Sequence, residues 1–466
     1  MGTRRAFLEQ SAGALTMLSS LGAAQKQIID KKTGQASGGA EVVEGFAKAQ
    51  PGRNVPALLA TGTQDGRQSL SELGSMVYSF VRKDGSLSFL SFEGDRAISR
   101  DGAKTFHYGP KLELPKPPPE AVKREESLTG GTLAYNGPVG LIKMRDGVVG
   151  MSWAQCYALA GNHDVVNMYF RTSTDDGENW SADILMNPGR DKGVPLEDTL
   201  RQLQSGRLIQ PVRWVFWGGS HLRRTSTCKV AGKEVSFEGH GHHPEFDLCY
   251  CYYSDDSGKT WNRSHAEILG FFEDGWGNFL DLDEPVVDQL PDGRLLMLFR
   301  TMVGRLFKSF SEDNGNTWSL PKPTPLAADN APCAMHRIPS TGDLLCVWNH
   351  LSNDEIRRGM RRSRLSSAIT RDGETWKHFR SIEWHPCVLE RSEYIQPEEK
   401  IQCTRSLDNI GELPEGWGTS SYATIGLDGD QVIISYYHTV NALRAGTTAS
   451  KQKHRVLPVS WFYEKA

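Results

Sequence analysis

One short pattern recurs along this chain and constrains its fold more than any other feature. Ser173–Trp180 reads STDDGENW, Ser254–Trp261 reads SDDSGKTW and Ser311–Trp318 reads SEDNGNTW, all of the form S-x-D-x-G-x-x-W. Two looser copies flank them, SRDGAKTF at Ser99–Phe106 and the one-residue-shorter TRDGETW at Thr370–Trp376. The chemistry is that of a strand-to-strand turn: the Ser ends a strand and the Asp carboxylate gathers hydrogen bonds from the Ser and the backbone. The Gly takes a positive φ, and the Trp packs back on the sheet. Such an Asp box is a folding device, not a catalytic motif.

A second signature alternates with the boxes: an apolar strand, a Gly turn and another apolar strand. It occurs around Asp146-Gly147, Ser205-Gly206, Asp292-Gly293, Gly342 and Asp428-Gly429. These segments read as the two inner strands of a four-stranded blade, with the box joining the outer pair. Adding a degenerate first unit at about Pro56–Phe106 gives six repeats, with boxes roughly 60 to 80 residues apart. The sequence therefore predicts an all-β, six-bladed β-propeller with Asp-box hairpins. VLPVSWFYE, from Val456 to Glu464, is expected to close the ring by pairing with the first blade and removing the open sheet edges.

The repeats override the prior of about three domains that 466 residues would otherwise suggest. Hydrophobic residues make up 38% of the chain and charged ones 23%, enough apolar material for a large core. With a formal net charge of -3 and no long run of one sign, nothing marks the chain as a nucleic-acid binder. Arg4-Arg5, followed by Phe7-Leu8 and the apolar stretch SAGALTMLSSLGAA, resembles a twin-arginine export signal cleaved after Ala24. The expected organisation is a signal over residues 1–24, a linker over 25–45 and the propeller over 46–466, in a periplasmic or secreted protein. No other segment approaches the roughly 18 to 20 apolar residues a membrane span needs. Cys249 and Cys251 would share one face of a strand, as buried small hydrophobes or half of a bridge. Neither they nor the other cysteines have zinc-like spacing, so no metal or cofactor is expected.

Beyond the boxes, the chain resembles the sialidase (neuraminidase) superfamily over about residues 50–466. EPVVDQLPDGRLLMLFRT in the fourth repeat is similar to the strand pair in which a Glu opens the inner strand and an Arg ends its neighbour. Those residues here are Glu284 and Arg300, the alternative being a surface ion pair. TSSYATIGLDGDQVIISYY in the sixth repeat is similar to the strand bearing the nucleophilic Tyr, here Tyr422, which otherwise reads as a core aromatic. RRSRLSSAITRDGETW resembles the segment that supplies the last substrate-binding arginine, with Arg362 the first choice and Arg364 the second. The resemblance implies an exo-acting glycosidase that releases a terminal acidic sugar, sialic acid in the family, from a glycan or glycoconjugate. A neutral Tyr attacks because the substrate carboxylate would repel an anionic nucleophile. The Glu takes its proton, a separate acid protonates the leaving oxygen, and arginines clamp the carboxylate.

The chain also departs from that pattern. The family's first arginine sits in a Y-R-I-P type motif opening blade one, whereas this chain has GRNVPALLAT, with Arg53 three residues before Pro56 and Asn54 in the expected slot. Asn136 precedes a similar run, YNGPVGLI, in blade two, and the RIP of Arg337–Pro339 reads as a decoy inside the fifth hairpin. Sialidases place an acidic Asp between the first inner hairpin and the first box. The segment Gln68–Val81 holds none, which leaves Asp164 in GNHDVVNMYF as the candidate acid, with His163 beside it. Glu197 stands nine residues before Gly206, as Glu284 does before Gly293, and should face the same funnel. Trp217, with Trp214, Arg213, Arg223 and Arg224, suits a rim subsite for a sugar. His240, His242 and His243 form a loop cluster open to metal, sugar or solvent. Two other functions remain open, a lyase acting on uronates and a carbohydrate-binding propeller without catalysis.

Overall fold

The computed structural model describes residues 57–59, 67–116, 132–159, 162–187, 193, 195, 198–217, 224–230, 233–239, 245–271, 279–280, 282–301, 304–351, 355, 360–388, 391–393, 412–413, 417–439 and 450–463. Among them are six four-stranded antiparallel sheets, the blades of a β-propeller. The innermost strands are Tyr78–Val81, Thr132–Lys143, Arg201–Gln202, Asp283–Gln289, Cys333–Arg337 and Thr419–Asp428, for blades one to six. Each leads through a glycine of positive φ (Gly85, Gly147, Gly206, Gly293, Gly342 and Gly429) into the second strand of its blade. All six inner strands therefore begin at one end of the propeller and turn at the other.

The boxes join the third and fourth strands of blades one to five, as their chemistry requires. In the second blade Ser173 Oγ donates to Asp175 Oδ1 at 2.7 Å and accepts from the Gly177 N–H at 2.8 Å, while Asp175 accepts from the Asn179 N–H at 2.9 Å. The same bonds recur around Asp256 and Asp313. They hold the Asp256 carboxyl down to about 2, through the Thr260 hydroxyl first and its backbone second. The box tryptophans are not equally buried: Trp261 and Trp376 are, whereas Trp180 and Trp318 are half-buried. In the first copy Ala103 occupies the glycine slot with φ of 61°, a conformation costing an L-residue about 1–2 kcal/mol.

Core side chains lie between neighbouring blades. One cluster joins Leu296 and Leu298 of blade four to Cys346 and Trp348 of blade five, and another joins Val347 and Leu365 of blade five to Ile434 and Leu457 of blade six. Cys249 and Cys251 are buried on one strand of blade three, and the Cys249 thiol donates to the Leu282 carbonyl at 3.2 Å.

Two sequence expectations are corrected here. Blade one begins at Tyr78 and not near Pro56, because Ala57–Leu59 pairs with Arg391–Glu393 in a separate two-stranded sheet. Asp84-Gly85 is the inner turn of that blade. The closing strand is Ser450–Pro458; Val459–Tyr463 forms a 3-10 turn. Ser450–Pro458 is the third strand of blade six, and the early segment Arg67–Ser71 pairs with it to supply the fourth. His454 pins this closure, its Nε2 2.8 Å from Ser71 Oγ and its Nδ1 2.8 Å from Ser435 Oγ.

Candidate active site

The four residues singled out from blades four, five and six are brought to one place. Arg300 Nη1 donates to Glu284 Oε2 at 2.7 Å, across the inner hairpin of blade four. Arg362, just before the third strand of blade five, stacks its guanidinium 5.0 Å from the centroid of the Tyr422 ring. Burial works against the charged form of Arg300, but Glu284, Asp283 and Tyr422 outweigh it and hold the group well above the usual guanidinium range. Glu284 and Arg300 are buried, at 4% and 7% exposure, while Tyr422 and Arg362 are half-buried. An ion pair at the base with a reachable phenol and guanidinium above it suits an anionic ligand.

The backbone explains how these side chains come to share the funnel. Glu284 and Tyr422 each open an inner strand at a β-bulge: the register with the neighbouring strand shifts between Asp283 and Val286, and between Ser421 and Thr424. Their φ angles are 41° and 56°, and that of Arg362 is 48°. Left-handed backbone at a non-glycine residue costs about 1–3 kcal/mol and clusters at functional sites, and a bulge re-aims a side chain. Arg362 is held in this state from both sides. Its N–H donates to Asp329 Oδ2 at 2.8 Å, and its carbonyl accepts from the Ser420 N–H at 2.8 Å, two residues before Tyr422.

Asp329 and Asn330, in the connection between blades four and five, were not singled out from the sequence. Asn330 Oδ1 accepts from Arg300 Nε at 2.7 Å, and the Asn330 carbonyl accepts from Arg362 Nη2 at 3.3 Å, so one residue ties the two arginines together. The only signal available was an Asp-Asn pair between two apolar strands. Asp283 extends the cluster toward blade three, 3.6 Å from Arg300 and 2.5 Å from Arg213.

The remaining candidates are less completely placed. Arg364 is fully buried and pairs with Glu355 at 2.7 Å, so it is a core residue and Arg362 is the arginine at the funnel. Arg53, Asn54, Glu197, Arg223 and the His240, His242 and His243 cluster lie outside the described residues. His163 and Asp164 lie in the third strand of blade two and Trp217 ends the second strand of blade three, but their side chains are outside the description.

The blade-one slot can be read from the repeat. Met76 stands nine residues before Gly85 with φ of 47°, which makes it the counterpart of Glu284. Among the described residues no arginine opens this blade. The shifted blade boundary also moves the window in which the resemblance calls for an acid. The first inner hairpin ends at Leu90, and Asp95 lies between it and the strand Arg96–Ser99 that leads into the first box. Asp95 Oδ2 accepts from the Gly74 N–H at 3.2 Å and from Ser91 Oγ at 3.1 Å.

Six blades, five of them with box turns joining the outer strands, make a propeller of the sialidase-like fold. A BNR repeat-like domain matches residues 136–433, and the chain belongs to that family. No curated protein matches it in sequence. Among solved structures it is similar to a protein of unknown function from Dyadobacter fermentans, at 15% identity and a TM-score of 0.50 over 88% of this chain and 100% of that one. It is also similar to the Trypanosoma rangeli sialidase in complex with 2,3-difluorosialic acid, at 12% identity and a TM-score of 0.48, over 84% of this chain and 54% of that one. The K499G mutant of NanB sialidase from Streptococcus pneumoniae gives 12% identity and 0.46, over 92% and 73%. Family and fold support a glycosidase-type or carbohydrate-binding role.

Proposed function

We propose that the protein is an exo-acting glycosidase that releases a terminal acidic sugar, with Tyr422 as nucleophile and Glu284 as the group that takes its proton. The observation that supports this reading best is the convergence of Glu284, Arg300, Arg362 and Tyr422 from three blades. Arg300 and Arg362, spaced by Asn330, offer paired charge-assisted bonds to a carboxylate on the anomeric carbon. A phenol can approach such a carbon without the repulsion an Asp or Glu would meet, and Arg362 over the ring favours the developing phenolate. The leaving oxygen needs an acid, for which Asp164 and Asp95 are the candidates. No cofactor enters this scheme. An exported enzyme acting on extracellular glycans fits the twin-arginine segment.

Met76 favours a second reading, a carbohydrate-binding propeller, because among the described residues it stands in blade one where the resemblance requires an arginine. Chromogenic acidic and neutral glycosides separate the two. Tyr422→Phe should lower turnover by roughly three orders of magnitude with an unchanged melting temperature, and Glu284→Gln should do nearly the same. The double variant should lose little more than either alone, since the pair acts as a unit. Full activity in Tyr422→Phe refutes the mechanism; binding without turnover in the wild type supports the second reading.

A further inference from the structure

The opposite end of the central channel, where the inner strands turn, holds a cavity lined by charged and apolar side chains that the proposed reaction does not use. It measures about 680 Å³ and all six blades line it, among them Val81, Lys143, Gln202, Gln289, Arg337 and Leu427. Gln289 and Leu427 lie five residues along their strands from Glu284 and Tyr422, a separation of roughly 16 Å.

Its charges are not balanced. Lys143, Arg145, Arg201 and Arg337 line it against two carboxylates, Asp198 and Asp288. Arg201 occupies both carboxylates, at 3.2 Å from Asp198 and 3.4 Å from Asp288. Lys143 donates to the Val81 carbonyl at 2.7 Å and lies 4.0 Å from Asp176. Arg145 and Arg337 are different. Arg145, from blade two, donates to the Gln204 carbonyl at 2.7 Å and to that of Leu203. Arg337, from blade five, donates to the side-chain oxygen of the same Gln204 at 2.8 Å, with the amide turned to receive it. Among the described residues neither guanidinium has a carboxylate partner. Two like charges are thus drawn to one neutral residue on the wall of one cavity, where Leu141 and Ile425 add low-dielectric surface. An anion presenting two or more oxygens would relieve that repulsion and fill the donor sites the guanidinium groups have left.

We propose that the turn-side mouth of the channel is a binding site for an oxyanion group (sulfate, phosphate or carboxylate) held by Arg145 and Arg337. The anion is either free in solution or part of an acidic glycan, and the chemistry of capture is shared.

Calorimetric titration of the full chain with sodium sulfate, at an ionic strength held constant with chloride, tests this. Saturable binding is expected, roughly tenfold weaker for each of Arg145→Gln and Arg337→Gln, with melting curves as the folding control. Every titration is run in the Arg362→Ala background, which weakens the anion site at the other end of the channel, so that the sulfate bound is that of the turn-side mouth. A sulfated oligosaccharide that binds more tightly than sulfate identifies the glycan source, and equal affinity identifies the free anion. Absence of saturable binding in that background overturns the proposal, as does binding there that survives the double Arg145→Gln, Arg337→Gln variant. Should those variants not fold, phenylglyoxal modification of the wild type gives the answer by mass spectrometry. Sulfate should protect Arg145 and Arg337, and lack of protection at both refutes the site.

Discussion

Acidification should loosen the ring closure at one histidine. His454 is fully buried between Ser71 and Ser435, with the rings of Phe89 and Phe106 centred 5.3 and 4.9 Å away. Burial pushes its pKa from 6.5 to about 3. Below pH 6.5 the unfolded chain takes up a proton here that the folded chain does not, so stability is complete above that value. It declines as the pH falls, and the loss levels off only near 3. At pH 5 the gap is about 1.5 units, which at about 1.4 kcal/mol per unit removes about 2 kcal/mol. The perturbation is His454→Gln, which keeps a donor and an acceptor between the two serines but does not titrate. The wild type should lose about 2 kcal/mol more than the variant between pH 7.5 and 5.0 in urea unfolding. Other buried histidines, such as His385 with its pKa lowered to about 4 by burial and by His438, contribute equally to both proteins and cancel. Protection factors of the Arg67–Ser71 amides, corrected for the intrinsic slowing of exchange in acid, should fall on acidification in the wild type alone. Parallel pH profiles for the two proteins would refute the reasoning.

Further outcomes follow from burial. Arg364→Ala should destabilise by about 3–5 kcal/mol in chemical denaturation, because it strands the buried Glu355. Arg362→Ala should change stability by under about 1 kcal/mol while weakening binding of carboxylated sugars. Trp261→Ala should cost about 3–5 kcal/mol and Trp180→Ala clearly less, since only the first indole is fully enclosed; equal losses by calorimetry would contradict this.

What the sequence revealed and what it concealed divide along local and non-local lines. The boxes and five of the inner turns are written in adjacent residues, as with the Ser254, Asp256 and Gly258 trio, so they could be read without a fold. Blade one was mis-bounded because its strands are four residues or shorter and Ala103 replaces the box glycine. Displacing that blade also displaced the search for an acid, so Asp95 went unnoticed. Ring closure pairs Arg67–Ser71 with Gln452–Val456, a contact that no local pattern encodes. At the funnel, family resemblance supplied Glu284, Arg300, Tyr422 and a choice of two arginines. The bulges that aim the first and third, and the Asn330 bridge, depend on register between strands.

The pairing of Arg67–Ser71 with Ser450–Pro458 also sets an order of events during synthesis. Ser71 and His454 are separated by 383 positions, so the strand made first must wait for the rest of its blade until nearly the whole chain has emerged. Until then the early segment has no partner, and the growing ring exposes a sheet edge able to capture a strand from another chain. Completion therefore waits on the slowest kind of contact, one between distant parts of the chain. Translation speed and chaperone access should accordingly govern the yield of closed molecules more than the stability of any single blade.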